Sequence, residues 1–597
     1  TQNEALDMVS KWGVHNKLRF AAHKTNAMVL TKKLKYDLPV LHMSGTTLNL
    51  VQEVKLLGVT IDSKLTFNAH VSATCKKAAD IYKQLAYAAK VTWGLNREVI
   101  RTIYVSVIEP IVLYAASAWE PAAEKLMTRK QFDSLQRGFA QKICKAYRTV
   151  SLTSALILSG QLPLDLRVIE AATLFKIKKG HSQEFIPPGR ELERNVHYSK
   201  NPHPALLTIT EYTRLEDWTP ETQETHKVTG PQIYTDGSKI EGKVGAAITW
   251  WENGKESSFN TFGLESHNTV FQSEMYALYR AVRMVKESRA ASVSILSDSR
   301  SSLDLLRSPS VTHHLALQIK RCVRDIREEN RDVKFFWLRA HVGTPGNERA
   351  DKLAKEAAMT ENIAEYNKVP VSYVRRKIRE GTIRKWQARY ESSSTGAVTK
   401  VFFPDVLAAK RTLKEAVLTP THIQILTGHG GFSAYLHRFH LKSSPSCVCD
   451  PCCDETVWHL LFECPRFCHD RMELEHKIET QLSQSTLHTI MGKPATRNPF
   501  LAFANKVAVV AAGANKTNGT PLNRNRSTST TNPVITLTTT NTTSTTITQV
   551  TSTQTRTTQT TTTTAPTTLS NTNPQPAQTP KRERSVSDRT TRLHQTT

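Results

Sequence analysis

No stretch of the 597 residues approaches the ~18 consecutive apolar residues of a membrane-spanning helix. The longest candidates are amphipathic, as at 105–118, where Glu109 and Pro110 interrupt the run. A soluble protein is expected. Acidic residues are scarce: 53 Asp and Glu stand against 79 Lys and Arg, a formal charge of +26. Such an imbalance is the footprint of a protein that meets a polyanion, although composition alone also produces basic chains without one. Cysteines are few and unevenly spread. Cys75, Cys144 and Cys322 are isolated, whereas six of the nine crowd between Cys447 and Cys468. That is a poor disulfide framework and a good single metal site, which suits a reducing, intracellular setting. From about residue 518 onward apolar side chains are almost missing, and Thr, Asn, Ser, Gln and Pro take over. Such a segment cannot repay the entropy of ordering its backbone, so a disordered tail is expected, with Lys581, Arg582 and Arg584 as a small basic patch.

The chain is too long for one core and reads as several domains. Residues 1–70 carry short strand-like runs at 28–30 and 56–61. Residues 71–185 are helical, with apolar positions such as Ile100, Ile103, Tyr104 and Val107 at helical spacing. Residues 186–230, with Pro187, Pro188, Pro202 and Pro204, read as a linker. Strands and helices alternate through 231–360. A basic helical region (361–440), the cysteine cluster (441–470), a short helical segment (471–515) and the tail (516–597) follow. Thr1 enters mid-pattern, so the chain reads as a fragment, and a missing signal peptide says nothing of location.

The chemistry concentrates in 231–360. Five strands are expected at 232–237, 244–251, 257–262, 293–297 and 333–338, each rich in β-branched or aromatic residues. A helix should start after Thr269, with Ala277, Leu278, Ala281, Val282 and Val285 forming its apolar stripe. Glu274 falls on that same inward face, one turn before Leu278. A carboxylate facing a core is costly unless something neutralises it, and a metal ion does. Asp236 and Asp298 each end an apolar strand, and Asp351 lies in a final helix. Four converging carboxylates suit two hard cations of the Mg²⁺ type and phosphodiester cleavage. His341, in the glycine-rich loop 341–348, can shuttle a proton near neutral pH. Each residue alone has an ordinary reading: Asp236 and Asp298 as turn residues, Glu274 as a helix-dipole partner, Asp351 on a solvated face.

Together, Tyr-Thr-Asp-Gly-Ser (234–238), Gln-Ser-Glu-Met-Tyr-Ala-Leu (272–278), Ser-Asp-Ser-Arg-Ser-Ser-Leu (297–303) and His-Val-Gly-Thr-Pro-Gly-Asn-Glu-Arg-Ala-Asp (341–351) resemble type 1 ribonuclease H. The resemblance implies Asp236, Glu274, Asp298 and Asp351 as ligands of two Mg²⁺ (or Mn²⁺), His341 in proton transfer or product release, and Gly237, Ser238 and Asn347 at the substrate. One departure stands out: where relatives carry Asn or Gln four and three residues before the helix Glu, to touch the hybrid's minor groove, this chain has Val270 and Phe271. Trp12-Gly13, Asn16-Lys17-Leu18, the stretches 24–28 and 56–62, and Tyr114 to Trp119 resemble the end of the reverse transcriptase palm (1–70) and the thumb and connection (71–185) of arthropod R-element and I-like LINE retrotransposons. In that family the polymerase carboxylates lie in an Asp-Asp motif, and no Asp-Asp pair occurs in this sequence, so the chain is not expected to polymerise DNA.

In the cysteine cluster, Cys447, Cys449, Cys452 and Cys453 precede His459 and Cys464 at spacings suited to tetrahedral Zn²⁺. The stretch 455–465 resembles the zinc knuckle of LINE proteins and makes His459 and Cys464 the secure pair. Their partners are either Cys447 with Cys449 or Cys449 with Cys452.

The expected architecture is therefore multidomain: an α/β ribonuclease H-like domain with a mixed five-stranded sheet, flanked by mainly α regions, a small zinc knuckle and a disordered tail. The expected activity is hydrolysis of the RNA strand of RNA–DNA hybrids during reverse transcription. The resemblance also implies retrotransposon RNA and chromosomal target DNA as partners, and a nuclear location with a cytoplasmic ribonucleoprotein stage. Two other readings stay open: a catalytically inactive nucleic-acid-binding relic, and the same fold turned to DNA exonuclease or strand-transfer chemistry.

Overall fold

The computed structural model describes residues 2–517 apart from 32, 34, 89–94, 198, 200–209, 217–218, 227, 229 and 361–363. The Thr-rich tail, with its basic patch, lies outside the described residues. The residues described fall in one compact unit, Thr1–Pro521. Among them no single helix is long and apolar enough to cross a membrane.

A six-stranded mixed sheet organises the middle of the chain. Its strands are β1 (Tyr212–Leu215), β2 (Gln232–Ile240), β3 (Lys243–Glu252), β4 (Lys255–Leu264), β5 (Ser292–Ser297) and β6 (Asp332–Leu338), in the order β4-β3-β2-β5-β6-β1. β2, β3 and β4 form an antiparallel meander, and β2, β5, β6 and β1 run parallel. The five expected strands are present, each somewhat longer than its apolar run. The sixth corrects the five-stranded reading: β1 comes from the segment taken as a linker and pairs with the edge of β6. Only Leu215 of its four residues is buried, so β1 carries almost no hydrophobic signal.

Side chains alternate across the sheet as strand geometry requires. Ile233, Val244, Ala246, Ile248, Val293, Ile295, Val333 and Phe335 share one core with the helices α2 (Val270–Glu287), α3 (Arg300–Arg307) and α4 (His314–Glu328). Tyr234, Leu296, Phe336 and Leu338 pack instead with Ala350 of α5 (Pro345–Met359). Helices thus cover both faces. The expected stripe of α2, namely Ala277, Leu278, Ala281, Val282 and Val285, is fully buried, each larger side chain contributing roughly 1.5–3 kcal/mol of gross burial. The expected cap is present: Gln272 Oε1 accepts from the Thr269 backbone N–H at 3.1 Å.

The rest is mainly helical. At the N-terminal side the run 56–61 is split by a turn into a hairpin, Glu53–Leu56 against Val59–Asp62. A first helical core joins Val71, Ile100, Tyr104, Ile108, Trp119, Phe132 and Phe139. A second runs from Ala140 to Ala511 and includes Trp386, Phe402, Leu426, Cys447, Cys464, Phe467 and Phe500. The boundaries expected between 71–185, 361–440, 441–470 and 471–515 therefore cut through one shared core. The helices α1 (Leu164–Lys179) and α6 (Val371–Ser392) lie on opposite sides of the sheet domain in sequence and are joined by Arg389, which donates to both oxygens of buried Asp165 at 2.9 and 2.7 Å.

Candidate active site and cysteine centre

Strand register brings the first two carboxylates together. β2 and β5 are parallel neighbours with Thr235 opposite Ser297, so the next residue of each, Asp236 and Asp298, emerges at one level. Asp298 does follow the last residue of its strand. Asp236 does not: β2 continues to Ile240, because β3 carries the ladder onward after β5 stops. The third carboxylate comes from the first turns of α2, which crosses directly over Gly237. A Cβ on Gly237 would lie 2.5 Å from the Glu274 backbone nitrogen and from Ser273 Oγ, so glycine there lets the helix approach. Gly237 and half-buried Ser238, expected at the substrate, thus sit beside the carboxylates, Gly237 as the packing surface for Glu274.

Asp236, Glu274 and Asp298 each offer an oxygen within 4.8 Å of the others. Asp236 Oδ2 and Glu274 Oε2 are buried without a hydrogen-bond partner. Burial first, then the charges of Asp298 and Asp351, push Asp236 up to about 7. Burial, then Asp236 and Asp298, hold Glu274 well above the usual carboxylate range. Asp298 is raised as well, chiefly by burial, against the lowering effect of a bond from Asn347. Three carboxyls that repel one another and leave buried oxygens unmet are what a divalent cation would neutralise. The donor set fits such an ion.

Asp351 stands slightly apart from this trio. It groups with His341 and Glu348 within 4.8 Å and pairs with Lys355 at 2.5 Å. Its charge still reaches Asp236, Glu274 and Asp298. His341 is exposed, with φ +54°, on the loop before α5, near enough to act on Asp298 whenever it carries a proton. The Gly343 N–H points to Glu348 Oε1 at 3.4 Å, which ties this loop to the helix. Asn347 lies within the site. It is buried, and its Nδ2 donates to Asp298 Oδ2 at 3.3 Å, so it positions a carboxylate. Lys355 and Glu348 were missed from sequence. Lys355 is four residues after Asp351, a spacing that sets two side chains side by side on a helix and was the available signal.

The cysteine cluster also converges. Cys447, Cys449, His459 and Cys464 each bring a ligand atom within 4.8 Å of the others, with Cys449 Sγ 3.3 Å from His459 Nε2. Of the two pairs left open, this selects Cys447 with Cys449. Cys452 is exposed and outside the group, and Cys453 bonds to Asp450 instead. Burial and the neighbouring thiols push Cys449 up to about 12, and burial raises Cys447. Burial acts the same way on Cys464, but Arg466, donating at 3.4 Å, outweighs it and holds that thiol below its ordinary value. Arg466 also donates to Cys447 Sγ at 3.1 Å and to fully buried Glu455 at 2.7 Å. A crowded thiol set of this kind ionises together only around a cation.

Residues 229–359 match the RNase H family model. Over 181 residues the chain is 28% identical to a 115 kDa protein of the type-1 retrotransposable element R1DM from Drosophila melanogaster, covering 30% of this chain and 18% of that protein. Over 144 residues it is 28% identical to a retrovirus-related Pol polyprotein from a type-1 retrotransposable element R1 of Nasonia vitripennis, covering 24% and 36%. The chain thus spans well under half the length of these relatives. Among solved structures it is similar to the N-terminal RNase H domain of Rv2228c from Mycobacterium tuberculosis, at 18% identity and a TM-score of 0.19, over 22% of this chain and 93% of that one. The assignment rests on the family model and the retrotransposon relatives, not on that last likeness. Residues 229–359 are a ribonuclease H domain, set in a chain related to the Pol polyproteins of R1-type non-LTR retrotransposons.

Proposed function

We propose that the ribonuclease H domain hydrolyses the RNA strand of RNA–DNA hybrids by two-metal catalysis of type 1, during reverse transcription of a LINE element. The observation that carries this reading is the trio of buried Asp236 and Glu274 with half-buried Asp298, with unmet oxygens on the first two. Asp236, Glu274 and Asp298, with Asp351 beside them, would hold Mg²⁺ or Mn²⁺. Divalent cations in such a site supply an activated water and charge stabilisation at the leaving oxygen. The chain's own residues do the rest. Asn347 holds Asp298 in place, Lys355 holds Asp351, and His341 stands on an exposed loop where it can hand on a proton or help product leave.

The four-donor cysteine centre is proposed to hold one structural Zn²⁺. Its ligands Cys447 and Cys464 belong to the second helical core, so the ion would brace that core rather than a free-standing knuckle. Retrotransposon RNA and chromosomal target DNA are the proposed partners of the whole protein. A nuclear location with a cytoplasmic ribonucleoprotein stage is proposed with them. With no Asp-Asp pair in the chain, polymerisation is assigned elsewhere in the parent polyprotein, an RNA-directed DNA polymerase. Offering the chain a labelled RNA–DNA hybrid, double-stranded RNA and double-stranded DNA with Mg²⁺ tests the reading. Cleavage confined to the hybrid's RNA is expected. Cleavage of DNA would favour the exonuclease or strand-transfer reading, and a folded chain that cuts nothing would favour the binding relic.

A further inference from the structure

A cleft of about 630 Å³ opens where α1 ends, α6 begins and the segment 192–197 passes between them. Lys178, Lys179, Arg194 and Arg375 line it, and all four are exposed. Among the described residues none of them has a carboxylate within ion-pair distance. Its one acidic lining residue, Glu193, is turned away to other work. Glu193 Oε1 accepts from Tyr366 OH at 2.6 Å and lies 3.1 Å from His313 Nε2, and Oε2 accepts from Gln272 Nε2 at 3.0 Å. Like charges are thus gathered without internal neutralisation, at a cost: burial first, then Arg375, hold Lys178 below the usual lysine range. The arrangement is firm. Beneath it Ile177, Leu192, Val369, Val374 and Ile378 form one apolar cluster, and Leu192 bridges Val369 in parallel.

The cleft shares elements with the proposed active site. Gln272, on its wall, is two residues before Glu274 on α2. Arg376, next to Arg375, acts by its charge on Lys239, which lies three residues beyond Asp236 on β2. Phe271, at one of the two positions where relatives carry a polar minor-groove reader, instead packs edge-on against His313, 5.8 Å between ring centres. A side chain so placed offers the hybrid no hydrogen bond. The grip on substrate has to come from elsewhere.

We propose that this cleft seats the sugar-phosphate backbone of a nucleic-acid strand running on from the ribonuclease H site, so that Lys178, Lys179, Arg194 and Arg375 set affinity and register without reading sequence. The proposal rests on the hybrid-cleaving reading for the strand's identity. Its chemistry is counterion release by clustered cations.

The test is binding of the full chain to labelled hybrids without Mg²⁺, so that nothing is cut, read by fluorescence anisotropy across a salt series. One hybrid is long. The other is too short to reach from Asp236 to Lys178. The double variant Lys178→Gln/Arg375→Gln should weaken the long hybrid about tenfold at ~0.1 M salt and reduce the log–log salt slope by about 1.8, the loss of two phosphate contacts. Affinity for the short hybrid should not change, the thermal midpoint should not fall, and Lys178→Arg/Arg375→Lys should restore binding. Wild-type affinity and slope in the Gln variant, or equal weakening of the short hybrid, would overturn the proposal, the first outcome being what an acidic protein partner would give. Adding Mg²⁺ to the same samples separates the two ideas. A wild-type chain that binds as described but cuts nothing refutes the nuclease reading and leaves the cleft; one that cuts while the Gln variant binds normally refutes the cleft alone.

Discussion

Asp236→Asn should make the metal-free protein more stable at mildly alkaline pH. Asp236 is buried with its Oδ2 unmet, and burial with neighbouring charge lifts it from 3.8 to about 7. Between those values the native state holds a proton that the unfolded chain has released, so stability falls as pH rises and levels off above about 7. Between about pH 6 and about pH 8 one such group is worth about 1.4 kcal/mol, a tenfold change in the folding equilibrium. His314 works in the opposite sense. Burial holds it near 4, so it stabilises the fold as pH rises through the unfolded value near 6.5. The difference between wild type and Asp236→Asn cancels His314 and reports the carboxylate together with its repulsion of Glu274. Urea unfolding of Mg²⁺-free protein at the two pH values, for both chains, measures it. The variant should gain on wild type by about 1.4 kcal/mol between the lower and the higher pH. Added Mg²⁺ should reverse the order, since a ligand of the native state stabilises it. A wild type that gains on the variant as pH rises without Mg²⁺ would refute the electrostatic account of the site.

Other residues give equally concrete expectations. Asn347→Ala removes the donor to Asp298 and should lower cleavage roughly tenfold to a hundredfold, the range of a hydrogen bond to a charged group, with hybrid affinity little changed. Cys464→Ser, or a zinc chelator, should loosen the core that runs from Ala140 to Ala511, seen as protease sensitivity there, while the sheet domain keeps its Mg²⁺-dependent cleavage. Arg389→Ala leaves buried Asp165 with only Arg129, 3.8 Å away, and should cost about 1.5–3 kcal/mol in urea unfolding; a loss under about 1 kcal/mol would show the pair to be incidental.

The ribonuclease H fold was legible because its signals are local. Alternating apolar residues mark β2 to β6, the stripe of α2 shows its buried side, and a charge on that side is conspicuous at Glu274. β1 escaped because a four-residue edge strand with one buried side chain has no period to detect. The shared helical core escaped for a different reason: spacing such as that of Trp386 and Tyr390 shows that a face is buried but not what it meets, and here the partners lie hundreds of residues away. The choice between Cys447 and Cys452 was open because several spacings satisfy one tetrahedral ion, and only the chain path places Cys452 outside. Asn347 shows the same limit on a smaller scale. Its motif pointed to the site, while its role depends on which neighbour its amide reaches.

A metal-dependent nuclease centred on Asp236, Glu274 and Asp298 stands or falls by one comparison. Wild type and Asp298→Asn are given the same labelled RNA–DNA hybrid with Mg²⁺, and cleavage and binding are read together. Wild type should cut the RNA strand, and the variant should bind the hybrid but cut it at least about a hundredfold more slowly. Equal cleavage by both chains would contradict this.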